Sequence, residues 1–145
     1  MDPIRLIRSP AELRGTCYFE FLPGEYAGRC WNEGSVFLAE GTFGLIEPII
    51  ARREPCFDHY AFVAIPRATW ALICADLDRL AARAEVATGL GDLDEHFGYA
   101  WSRTRREFGA DFRANAAQSA ALARDLAAWL GDQLESHECV SVLGM

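Results

Sequence analysis

The chain has 145 residues, with 14 arginines and no lysine against 21 acidic residues, and a formal net charge of −7. Hydrophobic residues make up 51% and charged residues 24%, the balance of a globular rather than a disordered chain, so a single domain spanning 1–145 with a sizeable core is expected. The acidity argues against a nucleic-acid binder, because neutralising phosphates needs a basic face. No apolar run approaches the roughly 20 residues of a membrane-spanning helix.

The opening MDPIRLIRSP has no apolar segment of the kind a secretory signal needs. Five scattered cysteines (Cys17, Cys30, Cys56, Cys74 and Cys139) then read as reduced thiols in a cytoplasmic protein. The preference for arginine and alanine over lysine points to a GC-rich bacterial genome. A helical turn is expected near Pro10. In TCYFEFL, residues 16–22, Cys17, Phe19 and Phe21 alternate with Tyr18 and Glu20, which is the pattern of a strand. Pro23-Gly24 marks a turn. Residues 26–31 and 35–40 are expected to pair as further strands across Asn32-Glu33-Gly34. Residues 41–53 read as a helix with Phe43, Ile46, Ile49 and Ile50 on one face, and Pro48 is accommodated if that helix begins near Gly44. A strand broken at Glu47-Pro48 is the alternative for this segment.

Residues 59–87, HYAFVAIPRATWALICADLDRLAARAEVA, form the most regular stretch. Tyr60, Phe62 and Ala64 alternate with Ala61, Val63 and Ile65, so both faces are apolar and a central, covered strand is expected. Pro66 ends the ladder and suits the first turn of a helix. Trp70, Ile73, Leu77, Leu80 and Ala84 then recur at helical spacing, with Asp76, Arg79 and Arg83 on the other side. Asp94 is a candidate N-cap for a helix carrying Phe97, Ala100, Trp101, Thr104 and Phe108. Asp111 is a candidate cap for a last helix over residues 112–136, with Ala116, Ala120, Ala123, Ala127, Leu130 and Leu134 in register. The tail from Cys139 is either a short strand or frayed. The fold class is α+β: a mainly antiparallel sheet from the N-terminal half packed against C-terminal helices.

Few constellations carry chemistry. Cys56 and His59, with His137 and Cys139, supply thiols and imidazoles of the kind zinc takes, but unrelated loop residues are the simpler reading and no metal or other cofactor is expected. No nucleophile elbow occurs. The absence of lysine removes Schiff-base chemistry and the lysine of a phosphate-binding loop. Glu85, Asp92, Asp94 and Glu95 make the stretch 85–95 acidic with no basic residue; helix capping is the plain reading and a patch for a basic partner the functional one. Arg103, Arg105, Arg106 and Arg113 are expected to pair with acids on neighbouring helices, each exposed pair contributing roughly 0–1 kcal/mol. Glu25, Tyr26, Trp31 and Glu33 gather aromatic and acidic side chains on the early turns, which is contact material for a protein partner; burial of Trp31 in the core is the equal alternative.

The segment EPIIARREPCFDHYAFVAIPRATWALICADLDRL, residues 47–80, runs loop, Tyr-containing strand, Ile-Pro, then a Trp-opened helix. It resembles the small acidic immunity proteins of bacterial polymorphic-toxin and contact-dependent growth-inhibition systems. The resemblance implies a non-enzymatic inhibitor that binds a cognate toxin domain, often a nuclease with a basic cleft, through an acidic surface. The expected contact residues are Glu25, Tyr26, Trp31, Glu33, Glu54, Asp58, Asp92, Asp94 and Glu95. Two alternatives stand beside it: an acidic secretion chaperone for an effector, and a small ligand-binding or enzymatic domain.

Overall fold

Alternation along the aromatic strand β1 (Tyr18–Pro23) separates two layers. Phe19 and Phe21 face the helices, while Tyr18, Glu20 and Leu22 face the other way. In the computed structural model, which describes residues 1–145, β1 pairs antiparallel with β2 (Val36–Ala39) on one side and with β4 (Cys139–Leu143) on the other, and β3 (Phe62–Pro66) pairs with β4. The sheet order is therefore β2-β1-β4-β3, antiparallel throughout. Helices α1 (Glu40–Arg53), α2 (Arg67–Val86), α3 (Ser102–Ala110) and α4 (Phe112–Gln133) complete an α+β fold. No helix is long and apolar enough to cross a membrane.

The main core lies between the sheet's inner face and the helices. Val36 and Leu38 of β2, Ile65 of β3 and Val140 and Val142 of β4 meet Phe43, Trp70, Ile73, Leu77, Leu126 and Leu130 there. Phe19 stacks on Phe43 at 3.8 Å and 7°. The indole of Trp70, fully buried, donates its N–H to the Val140 carbonyl at 3.0 Å, so the only polar atom of that ring is satisfied inside the core. The α2 stripe of Trp70, Ile73, Leu77, Leu80 and Ala84 is buried as its spacing predicts. So are Ala116, Ala120, Ala123 and Leu130 of α4, where alanines let the helix approach α2 closely.

Several expectations are corrected. β3 is an edge strand, with Phe62 and Ala64 exposed on its outer face; two apolar faces report which side chains meet apolar neighbours, not how many strands flank the backbone. The central place belongs to the C-terminal tail, β4. Residues 26–31 form no strand, and β2 pairs with β1 instead. Residues 93–101 are turns and bends, so α3 starts only at Ser102; Asp94 pairs with Arg105 rather than capping a helix. The last helix ends at Gln133, and Asp111 precedes it without a side-chain cap bond.

Helix α1 forms as expected but begins at Glu40, which leaves Pro48 inside it. Proline has no N–H for the carbonyl four residues back, here Gly44. The bend after α2 packs onto this gap. Gly98 donates its N–H to the Leu45 carbonyl at 3.3 Å, and a Cβ on Gly98 would lie 2.5 Å from the Gly44 oxygen and 2.8 Å from Pro48 Cγ. The absent side chain is what lets this turn cover the proline. Between α1 and α2, Arg53 binds Asp76 through two nitrogens at 2.7 and 3.1 Å, and Arg79 joins from the next turn of α2.

Two outcomes follow. Gly98→Ala is expected to lower stability by about 2 kcal/mol or more through overpacking against backbone. Gly131→Ala in α4, where an added Cβ meets nothing within 4 Å, should raise it by about 0.5–1 kcal/mol; denaturant midpoints of the two variants check the pair. The Arg53 hydrogen bond, opposed by burial and helped by Arg79, holds the Asp76 carboxylate below its ordinary 3.8. A depressed folded pKa contributes stability above that ordinary value and loses it as pH falls through the folded one. Asp76→Asn should therefore destabilise at neutral pH, and its deficit should shrink progressively below pH 3.8. A deficit constant from neutral to strongly acid pH would contradict the pairing.

Candidate functional site

Glu20 faces away from the helices in the middle of the sheet, with Phe37 beside it on β2 and Leu143 on β4. It is only 2% exposed. A carboxylate removed from water is tolerated only when other donors replace its hydration. Here residues 24–35 fold back over the sheet and supply them: the backbone N–H of Trp31 at 2.5 Å and of Asn32 at 3.0 Å, the Asn32 side-chain amide at 2.9 Å and the Ser35 hydroxyl at 2.7 Å. The start of the loop is tied to β4 as well. The Ser141 hydroxyl donates to the Gly24 carbonyl at 2.7 Å, and the Gly24 N–H donates to the Cys139 carbonyl at 2.9 Å.

Held this way, Trp31 sits at φ 60°, the one non-glycine residue of the chain with a positive φ. For a bulky side chain that region is strained, at a cost on the order of 1–2 kcal/mol. Trp31 nonetheless remains 40% exposed and Tyr26 42%. The Tyr26 ring meets Phe62 of β3 edge-on at 4.8 Å and 70°. Phe62 is itself 46% exposed, and Tyr60, two residues earlier, 77%. The result is an aromatic surface on the outer side of the sheet, edged by the exposed carboxylates Glu25 and Glu33. Cys30 on this loop has its thiol pKa pushed up by burial and by the Glu20 charge.

The other expected contact residues are placed differently. Glu54 and Asp58 lie on the α1–β3 connection and accept the backbone N–H groups of Cys56 at 3.2 Å and Tyr60 at 2.8 Å. Asp92 caps the turn after α2, taking the Thr88 N–H at 2.9 Å and its hydroxyl at 3.1 Å, and those bonds hold its pKa down. Asp94 forks with Arg105 at 2.7 and 3.3 Å. Glu95 is exposed beside them without an ion-pair partner. These last three belong to the helical layer, apart from the loop of residues 24–35 that carries Glu25, Tyr26, Trp31 and Glu33, all exposed.

Sequence reasoning missed Glu20 and Phe62 as members of this surface. The signal for Glu20 was a lone acid in an otherwise apolar strand, a position that asks for donors from elsewhere in the chain. It also missed a second cluster. His59 places Nδ1 2.8 Å from Glu47 and Nε2 3.5 Å from Glu40, two carboxylates that share a face of α1 two turns apart. Its ring rests edge-on against Phe19 at 4.8 Å. Both imidazole nitrogens face carboxylates of the chain, so neither is presented to a substrate, and the cluster reads as a clamp between α1 and the entry to β3. The possible zinc ligands do not converge. His59 lies beyond the Phe62 end of the β3–β4 pair and Cys139 opposite Pro66 at its other end, and no group of three or more His, Cys, Asp or Glu side chains is arranged so that it could hold a metal ion.

A concavity of about 710 Å³ is an open groove between the end of α2 and the start of α4, lined by Ala84, Ala116 and Ala120 and by the Arg124–Glu85 ion pair. A smaller one of about 180 Å³ lies beside the Arg53–Asp76 pair, lined by Arg52, Arg79, Arg83 and His96. No protein-family model, curated protein or solved structure matches the chain.

Glu20→Ala is expected to cost about 3 kcal/mol, because it strands the Ser35 hydroxyl and the Trp31 and Asn32 N–H groups. The loop should loosen before the sheet does. Limited trypsin digestion then cuts after Arg29 faster in the variant than in the wild type at equal temperature. Equal cleavage rates would show that Glu20 does not hold the loop.

Proposed function

We propose that this chain is a cytoplasmic, non-enzymatic immunity protein that binds and neutralises a cognate bacterial toxin domain, with the aromatic loop of residues 24–35 as its contact surface. The observation that carries the reading is Trp31. A large aromatic side chain held in a left-handed backbone conformation and left 40% exposed contributes little to the core. Strain of this kind persists where the surrounding structure enforces it, and it gathers at binding sites. Trp and Tyr are also the side chains that most often anchor protein interfaces. The net charge of −7 favours a basic partner, such as a nuclease domain with a cationic cleft, and speeds the encounter. Preorganisation by Glu20 lowers the ordering cost of binding.

One feature favours the secretion-chaperone alternative. The same surface is richer in exposed aromatics than in acids, which suits an unfolded apolar segment of an effector.

The test uses the toxic C-terminal domain of a secreted protein encoded upstream of this chain's own gene. The two should co-purify as a stoichiometric complex that weakens with added salt, and toxin activity should vanish at an excess of this chain. Trp31→Gly, which suits the positive φ, should keep stability within about 1 kcal/mol while weakening the complex about 30-fold or more. Full toxin activity at stoichiometric excess, or an upstream neighbour with no toxic domain, removes the proposal.

A further inference from the structure

The two edges of the sheet are treated differently. At the β2 edge, Ile7 of the N-terminal segment exchanges both main-chain hydrogen bonds with Phe37, at 2.9 and 2.8 Å, and covers it. At the β3 edge nothing does so. The bonds from Gly144 N–H to the Ala61 carbonyl at 3.0 Å, and from Arg67 N–H to the Glu138 carbonyl at 2.9 Å, fix which residues of β3 turn their main chain toward β4. With the β3–β4 register, these are Ala61, Val63, Ile65 and Arg67. Phe62 and Ala64 therefore direct their N–H and C=O groups outward, where no strand or loop meets them.

The open run is short and sharply bounded. On one side the Tyr60 N–H is already given to the Asp58 carboxylate at 2.8 Å. On the other, Pro66 has no N–H. What remains is two donors and two acceptors, those of Phe62 and Ala64, spaced about Val63. Natural edges are guarded by shortness, proline, charge or a bulge; β3 is short and ends at Pro66, and the run before it, Phe62-Val63-Ala64-Ile65, carries no charge.

We infer that this edge pairs with the same edge of a second copy, antiparallel, with the two-fold axis passing through Val63. In that register Phe62 of each copy exchanges both main-chain bonds with Ala64 of the other, and every open group is used. A two-fold at Phe62 would bring in the committed Tyr60 N–H, and one at Ala64 would bring in Pro66, so each alternative forfeits donors. Side chains agree with the register. On the outer face the half-exposed Phe62 ring of one copy lies across from the small, exposed Ala64 of the other, and the match is made twice. A charged foreign strand has no charge on this run to select it, whereas a second copy presents the complementary pattern by construction. The axis stands perpendicular to the sheet, so both Trp31 loops end on the same side of a continuous eight-stranded sheet. The interface is small and each copy carries a charge of −7, so association is weak at low salt and strengthens as salt screens the repulsion. This dependence is opposite in sign to that of the toxin complex, and the two proposals stand or fall separately.

Sedimentation equilibrium over rising protein concentration, at low and high salt, tests the inference. The wild-type mass is expected to move from 16.1 kDa toward twice that value, further at high salt. Ala64→Pro removes an outward N–H that has no partner within the chain, and should raise the dissociation constant about tenfold or more with an unchanged far-UV circular dichroism spectrum. Ala64→Glu keeps the main-chain donors but sets a charge against the partner's Phe62 in an acidic dimer; it should give the same loss, and it carries the test if the proline variant fails to fold. A wild-type mass of 16.1 kDa at all concentrations and salts, or a dimer that both variants leave intact, overturns the inference.

Discussion

The closing strand β4 sits between β1 and β3, and each layer of the molecule is tied to it. It joins an N-terminal hairpin and a mid-chain strand that share no hydrogen bond of their own. Its Val140 carbonyl takes the Trp70 indole from the helical side, while its Cys139 carbonyl and Ser141 hydroxyl hold the loop on the outer side. β4 follows α4 in the chain and pairs with β1, from which all four helices separate it in sequence. The contact that completes the sheet is therefore also among the most distant in sequence, which is the slow kind to form.

On the outer side the governing term is electrostatic. Glu20 occupies a position where an apolar residue would cost nothing, and the chain compensates with donors from Trp31, Asn32 and Ser35. Those bonds hold the loop in one conformation and keep Trp31 in a backbone region it would otherwise avoid. Stability and presentation are thus coupled: the buried charge is acceptable only while the loop is closed, and the closed loop is what displays the aromatic surface. The helical layer uses its charges in a plainer way, as ion pairs such as Arg53–Asp76, Arg105–Asp94 and Arg124–Glu85 that join neighbouring segments.

Much of the helical half was legible in order along the chain. The α2 stripe is local, since Trp70 through Ala84 recur at helical spacing whatever they pack against, and the alanine-rich face of α4 is legible for the same reason. Segments whose structure depends on a partner were not. Residues 93–101 look periodic, yet Gly98 is held by its close approach to Gly44 and Pro48 rather than by a helix of its own. Tyr26 and Trp31 were recognisable as contact material by residue type, but Glu20, which positions them, reads only as one polar residue in a strand.

The amino-acid sequence by itself determined the α+β class, the apolar stripes of the long helices and the acidic character of the surface, because these follow from periodicity and composition within short windows. The tertiary structure alone decided which strand is central and which is an edge, where the buried carboxylate finds its donors, and that the early aromatic turns lie beside β3 rather than beside the acidic turn after α2. The physical reason is that hydrogen-bond partners and strand neighbours are properties of pairs distant in sequence, and alternation along one strand carries no record of what lies next to it.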